Sequence, residues 1–175
     1  MREDIVTTTV YTFDELSDSA KQTAISGLCT CNVDYDWWDS TYEDARTIAL
    51  KITSFDLDRH RQCDGEWQED AEATARAILE NHGESCETWK DAKVFLAELS
   101  GCKAIFEAKD DYDYEYEEFN ESDEHKELCN EFLKTICEDY SIILQNESEY
   151  LQSEEAIIET IQANEWEFTV DGVMY

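Results

Sequence analysis

The sequence predicts an α+β fold in which helix dominates, with a small antiparallel sheet packed by about five helices. Three observations predict it. β-Branched and aromatic runs stand near both ends, at Ile5–Phe13 and Trp166–Tyr175. Between them apolar residues recur every three or four positions over most of the length. One short strand-like run, Leu50–Leu57, interrupts the helical pattern.

Ile5–Phe13 (IVTTTVYTF) reads as the first strand. The DELSD that follows starts a helix with Asp14 or Ser17 as its N-cap, running to about Leu28 and burying Leu16, Ala20, Ala24 and Leu28. Trp37–Ile48 reads as a second helix with Trp38, Tyr42, Ala45 and Ala49 on one side. Leu50–Leu57 is the strand near 50–57 and is expected to pair with the first strand. DRHRQCDG then reads as a polar turn centred on Asp64 and Gly65. A helix over Glu69–Asn81 should bury Ala73, Ala77 and Ile78, with Gly83 as a left-handed cap beyond it. The next helix opens at Cys86, buries Trp89, Ala92, Phe95, Leu96 and Leu99, and closes at Gly101. A long helix from Glu124 carries Leu128, Phe132, Ile136, Tyr140 and Ile143. Ser153 caps a final helix with Ile157, Ile158 and Ile161. The chain then ends in a hairpin, its turn at Asp171 and Gly172. With no Pro and no Gly/Ser-rich linker, residues 1–175 read as a single domain, with an acidic segment at 107–127 between two helical parts.

Charge is the chain's most unusual property. Its 44 acids against 13 bases give a formal net charge of −31, whereas a magnitude of roughly 2–8 keeps a small domain soluble. Direct nucleic-acid binding is disfavoured, because phosphates recruit Lys and Arg, and anionic membranes are disfavoured for the same reason. Basic partners are favoured. The apolar and aromatic content, 42% and 12% of residues, is enough for a sizeable core and argues against global disorder. Halophilic adaptation or a merely acidic housekeeping protein would share this composition. The charge peaks over EAKDDYDYEYEEFNESDEHKE (107–127), where tyrosines alternate with the acids. A solvating tail is poor in aromatics, whereas a contact surface uses tyrosine for rigid area with a polar end. The expected protein-interaction residues are therefore Asp110, Asp111, Tyr112, Asp113, Tyr114, Glu115, Tyr116, Glu117, Glu118 and Glu121.

Motifs for other chemistry are missing. The segment from Asp111 fails as a calcium loop: its sixth position is Tyr116 where Gly is needed, and its twelfth is Ser122. There is no phosphate-binding glycine loop and no GxSxG elbow. His60, His82 and His125 have no paired spacing, and His82 beside a helix end is explained by the helix dipole. Seven cysteines, an odd number, read as reduced thiols, the default for a buried free Cys being a small hydrophobe. Convergence of Cys29, Cys31, Cys63 and His60 on a metal is the one alternative. No metal, cofactor or catalytic residue is expected. The opening MREDIVTTT has no apolar signal core, and no apolar run approaches the roughly 20 residues of a membrane span. A cytoplasmic location is the expectation.

Strings along most of the chain, among them YTFDELSDSAKQTAI, VDYDWWDSTYEDA, ITSFDLDR, ILENHGESCETWKDA and EYLQSEEAIIETIQANEWEFTVDG, resemble a family of small acidic proteins encoded widely by bacteriophages and prophages. The resemblance implies a phage setting and supplies no catalytic residues. In charge and size the chain is also similar to phage DNA-mimic proteins that occupy the groove of restriction enzymes or CRISPR effectors, a likeness of composition only. The expected function is thus a non-enzymatic anti-defence protein, in a bacterial host cell, that blocks the groove of a basic nuclease or CRISPR effector. Homodimerisation is left open. The alternatives are an antitoxin-like module sequestering a basic protein, or an enzyme whose site the sequence does not reveal.

Overall fold

The computed structural model describes residues 8–109 and 119–175, the side chains of 107–109 excepted. The class is helix-dominant α+β. Among the described residues there are six α-helices and two separate antiparallel pairs of strands. They divide into two compact units, one built from the described residues up to Trp37 together with Asn146–Tyr175, the other from Trp38–Gln145.

The first unit joins the two ends of the chain. Strand β1 (Tyr11–Thr12) pairs with β4 (Glu167–Phe168), Tyr11 opposite Phe168. β1 is shorter than the run Ile5–Phe13 suggests. Phe13–Glu15 folds into a 3-10 turn because Glu15 Oε2 accepts the Thr12 N–H at 2.9 Å and Thr12 Oγ1 at 3.0 Å. Residues 5–7 lie outside the described residues. Helix α1 (Asp18–Gly27) begins at Ser17, whose Oγ accepts the Ala20 N–H. Helix α6 (Glu154–Ala163) begins in the same way, with Ser153 Oγ accepting from Ala156 N–H. Each cap satisfies an N–H that the helix geometry leaves without a partner. Phe13, Leu16, Ala20, Ala24, Ile25, Ile157, Ile161 and Phe168 form the core of this unit. The C-terminal turn closes over α1. Gly172 takes φ +83°, Thr169 N–H bonds Val173 O at 2.8 Å, and Tyr175 N–H bonds Glu167 O at 2.9 Å.

The second unit departs further from expectation. Strand β2 (Leu50–Asp56) pairs with β3 (Gln62–Trp67), not with the N-terminal strand. Asp64 and Gly65 therefore lie inside a strand, and the actual turn is upstream, where Asp56 Oδ1 accepts the Asp58 N–H at 2.9 Å. Gly65 is there for space, since a Cβ would stand 3.1 Å from Cys137 Sγ and 3.2 Å from Lys51 O. A bulge between Ile52 and Ser54 shifts the β2 pattern, so that Leu50 and Ile52 are buried while Ser54 is exposed. Phe55 makes edge contacts with Trp38 and Tyr42.

Four helices complete this unit. In α2 (Asp39–Thr47) Thr41 and Ala45 are buried, and Ile48 follows as its buried C-cap; Ala49 takes φ 58°. In α3 (Ala71–Asn81) the buried face is Ala71, Thr74, Ala75 and Ile78 rather than Ala73 and Ala77. Asp70 caps it by accepting the Ala73 N–H at 2.7 Å. Gly83 does not adopt the left-handed conformation; α3 ends at an extended His82 (ψ 152°). Helix α4 (Glu87–Lys109) runs through Gly101, where the sequence suggested a stop. Beyond it, Phe106 packs 5.5 Å from Phe119 in the 3-10 turn Phe119–Glu121, and that apolar contact offsets the roughly 1 kcal/mol of a mid-helix glycine. Helix α5 (Asp123–Leu151) carries Phe132, stacked between Phe95 at 4.1 Å and Trp67 at 5.4 Å. Its C-terminal end, from Asn146 to Leu151, belongs to the first unit.

Candidate binding surface and cavity

Nine of the ten residues expected to make the interaction surface, Asp110, Asp111, Tyr112, Asp113, Tyr114, Glu115, Tyr116, Glu117 and Glu118, lie outside the described residues. The tenth, Glu121, is exposed at the end of the 3-10 turn, and its carbonyl oxygen accepts from Lys126 Nζ at 2.6 Å.

The acidic character does not depend on that segment. On α5, Glu124, Glu127 and Glu131 are exposed at spacings of three and four, which places them along one side of the helix. Glu80, Glu84, Asp56, Asp58 and Glu69 are exposed on neighbouring elements of the same unit. Several of the basic side chains are engaged locally. Lys51 pairs with Glu66, Arg61 with Glu138, Arg76 with Glu72 and Lys90 with Glu87. Lys93 lies 4.9 Å from the Trp89 ring centroid. Each such pair cancels one acid, so the excess stands on the surface.

A second feature was not anticipated. The segment between α3 and α4, with α2 and α5, borders an open cavity of about 460 Å3 lined by Asp44, His82, Glu87, Thr88, Asp139, Ile142 and Ile143, among others. Each lining group is fixed by its own element. Tyr140, fully buried in α5, donates its hydroxyl to Asp44 Oδ2 at 2.7 Å and holds that carboxylate in place. Burial and the Asp44 carboxylate push the Tyr140 phenol up, so it stays a donor. His82 Nδ1 shares a hydrogen bond of 2.7 Å with Thr88 Oγ1, while Nε2 lies 3.7 Å from Asp44 Oδ2. Only 11% of the His82 side chain is exposed. Its Nε2 and Asp139 Oδ2 are both buried without a hydrogen-bond partner. Burial, then the like charge and hydrogen bond of Asp91, then Glu87 and Glu138, push the Asp139 carboxyl up to about 6. Burial disfavours the charged form, and nearby like charges disfavour it further.

The other histidines and cysteines do not converge as considered. His60 is exposed in the β2–β3 loop, and Cys63 is buried against Cys137. The thiol hydrogen bond to Cys137 and burial raise Cys63, so it is held as the thiol. Cys129 Sγ is 3.6 Å from His125 Nε2, with Phe119 against the same ring at 5.2 Å. Among the described residues no three or more His, Cys, Asp or Glu are grouped to hold a metal ion. No described helix is long and apolar enough to cross a membrane.

No family model matches the chain, and no curated protein or solved structure does.

The surface was legible in the sequence because charge needs no fold to be counted. The cavity was not, although one signal pointed to it. Asp139 stands beside Ile136 and Tyr140 in the apolar pattern of α5, and a carboxylate beside buried residues calls for a partner.

Proposed function

We propose that this chain is a phage anti-defence protein acting as an acidic DNA mimic, which blocks the nucleic-acid-binding groove of a host restriction or CRISPR effector in the bacterial cytoplasm. It acts by binding, without turnover. The observation that carries the reading is surface charge left uncompensated on a folded scaffold. The formal balance is −31, and the described ion pairs consume bases locally. Acids such as Glu124, Glu127 and Glu131 are held on a rigid helix, with neighbouring acids about 5–6 Å apart at Cβ. Fixed negative charge of this kind attracts a basic groove at long range, and association is fast and falls with salt. The segment around Asp110–Glu118 adds the highest local acid density in the sequence, with Tyr112, Tyr114 and Tyr116 as contact area.

The test is to immobilise the full chain, pass bacterial lysate over it, and elute with rising salt or with duplex DNA. Recovery of a nuclease or CRISPR effector that DNA displaces supports the mimic. Its DNA cleavage should be inhibited by the free chain, and reversal of three acids in 110–118 to Lys should relieve that inhibition. A basic partner indifferent to DNA supports sequestration instead. Retention of nothing salt-sensitive overturns both.

A further inference from the structure

We propose that the cavity between α2, α4 and α5 is a binding site for a primary ammonium or guanidinium group carried on an apolar stem. The inference stands independently of the DNA-mimic reading. Four observations carry it together.

The lining of the cavity is of two chemical kinds. Ile142 and Ile143 contribute apolar surface and are 38% and 41% exposed. Asp44, Glu87 and Asp139 contribute carboxylates, and no Lys or Arg lines the space. Lys90 sits outside it, bound to Glu87 Oε1. A hydrated metal ion gains nothing from an isoleucine wall, whereas an alkyl chain does.

Two buried polar atoms at this site lack partners, Asp139 Oδ2 and His82 Nε2. Leaving such an atom unsatisfied costs about 1–3 kcal/mol, and native proteins rarely tolerate it without reason. A carboxylate oxygen accepts. An ammonium supplies three N–H donors and a guanidinium five, which suits the orphan acceptor Asp139 Oδ2 beside two further carboxylates.

Protonation of Asp139 removes a charge that would attract such a cation. Asp139 faces Asp91 and Glu87 from α4, with Glu138 on its own helix, and Asp44 and His82 complete the lining. Above pH about 6 the proton leaves, and the site then carries one more negative charge. Cation binding and proton release are therefore linked, and affinity rises with pH through that value.

The experiment titrates n-butylammonium chloride, and separately N-acetyl-lysine methylamide, into the full chain, following the methyl resonances of Ile142 and Ile143 and the His82 ring by NMR. Saturable shifts with both probes are expected at about pH 7.5, weakening about tenfold at about pH 5. Binding of both points to a lysine or arginine side chain presented by a partner. Binding of butylammonium alone points to a free amine. Asp139→Asn, a near-isostere checked for an unchanged amide spectrum, should lose at least about tenfold in affinity. Glu98→Gln, an exposed acid outside the cavity on α4, should lose none. Shifts reproduced by sodium chloride, equal weakening by both variants, or no shift at Ile142 and Ile143 would overturn the proposal.

Discussion

At Gly172 a built Cβ would fall 2.0 Å from the carbonyl oxygen of Ala20 and 3.0 Å from its Cα, and φ is +83°. Both the contact and the dihedral demand glycine, because the neighbour is helix backbone that cannot step aside. Gly172→Ala is expected to destabilise the first unit by about 3 kcal/mol, read as a lower urea midpoint; an unchanged midpoint would show that the turn does not dock on α1. Asp139 makes the opposite argument. Its folded-state carboxyl titrates at about 6, above the usual range for Asp, because burial and Asp91 favour the neutral form. Between pH about 4 and 6 the unfolded chain releases this proton while the folded chain keeps it, so stability falls as pH rises through that window. Asp139→Asn removes the term. The variant should be more stable than the parent at neutral pH, on the order of 1 kcal/mol after discounting for screening at a half-buried site, and the two should converge near pH 4. Thermal melts over that range check it, and a variant less stable at pH 7 would contradict it. A residue that weakens the fold where it sits is more easily understood as serving a site.

Individual helices carry their own contradictions with local preference. Gly101 lies inside α4, yet a Cβ there would meet nothing within 4 Å. Gly101→Ala should therefore add about 1 kcal/mol by lowering the entropy of the unfolded chain, measurable as a higher denaturation midpoint with unchanged slope. A loss of stability would mean that α4 does not continue past this point. The end of α6 shows the reverse case. Glu165 N–H bonds Gln162 O, Trp166 N–H bonds Ile161 O, and Glu165 itself sits at φ 52°, a Schellman close made without glycine. β3 is a strand with Cys63 buried and Gln62 and Asp64 exposed, its inner positions supplied by Cys63, Gly65 and Trp67. Its Asp-Gly pair mimics a turn signal, but the glycine is required by the approach of Cys137 and Leu50.

Across the whole molecule, −31 charges repel one another at a cost that hydrophobic burial must offset. Screening lowers that cost, since the Debye length falls from about 30 Å at 0.01 M salt to about 10 Å at 0.1 M. The melting temperature should rise as sodium chloride is added across this range, a trend checked by thermal melts; a flat or falling dependence would mean that the repulsion is already neutralised. The same screening should weaken capture of a basic partner, so stability and binding move in opposite directions with salt. How much of this was legible in the chain differs by feature. Ser17 and Ser153 announce their helices, Asp171-Gly172 announces its turn, and the three-to-four spacing from Leu128 to Tyr140 announces α5, because caps, turns and helical periodicity are set by near neighbours. Helix dominance and the acidic excess follow from the sequence alone, the one by periodicity and the other by addition. Strand partners did not follow, since β1 meets β4 across nearly the full length of the chain and β2 takes the nearest strand rather than the expected one. Nor did the cavity, whose Asp44, His82, Glu87 and Asp139 come from separate segments. Their meeting is decided by long-range packing, through Tyr140 reaching Asp44 and Thr88 holding His82, and no local pattern encodes which distant side chains a core will bring together.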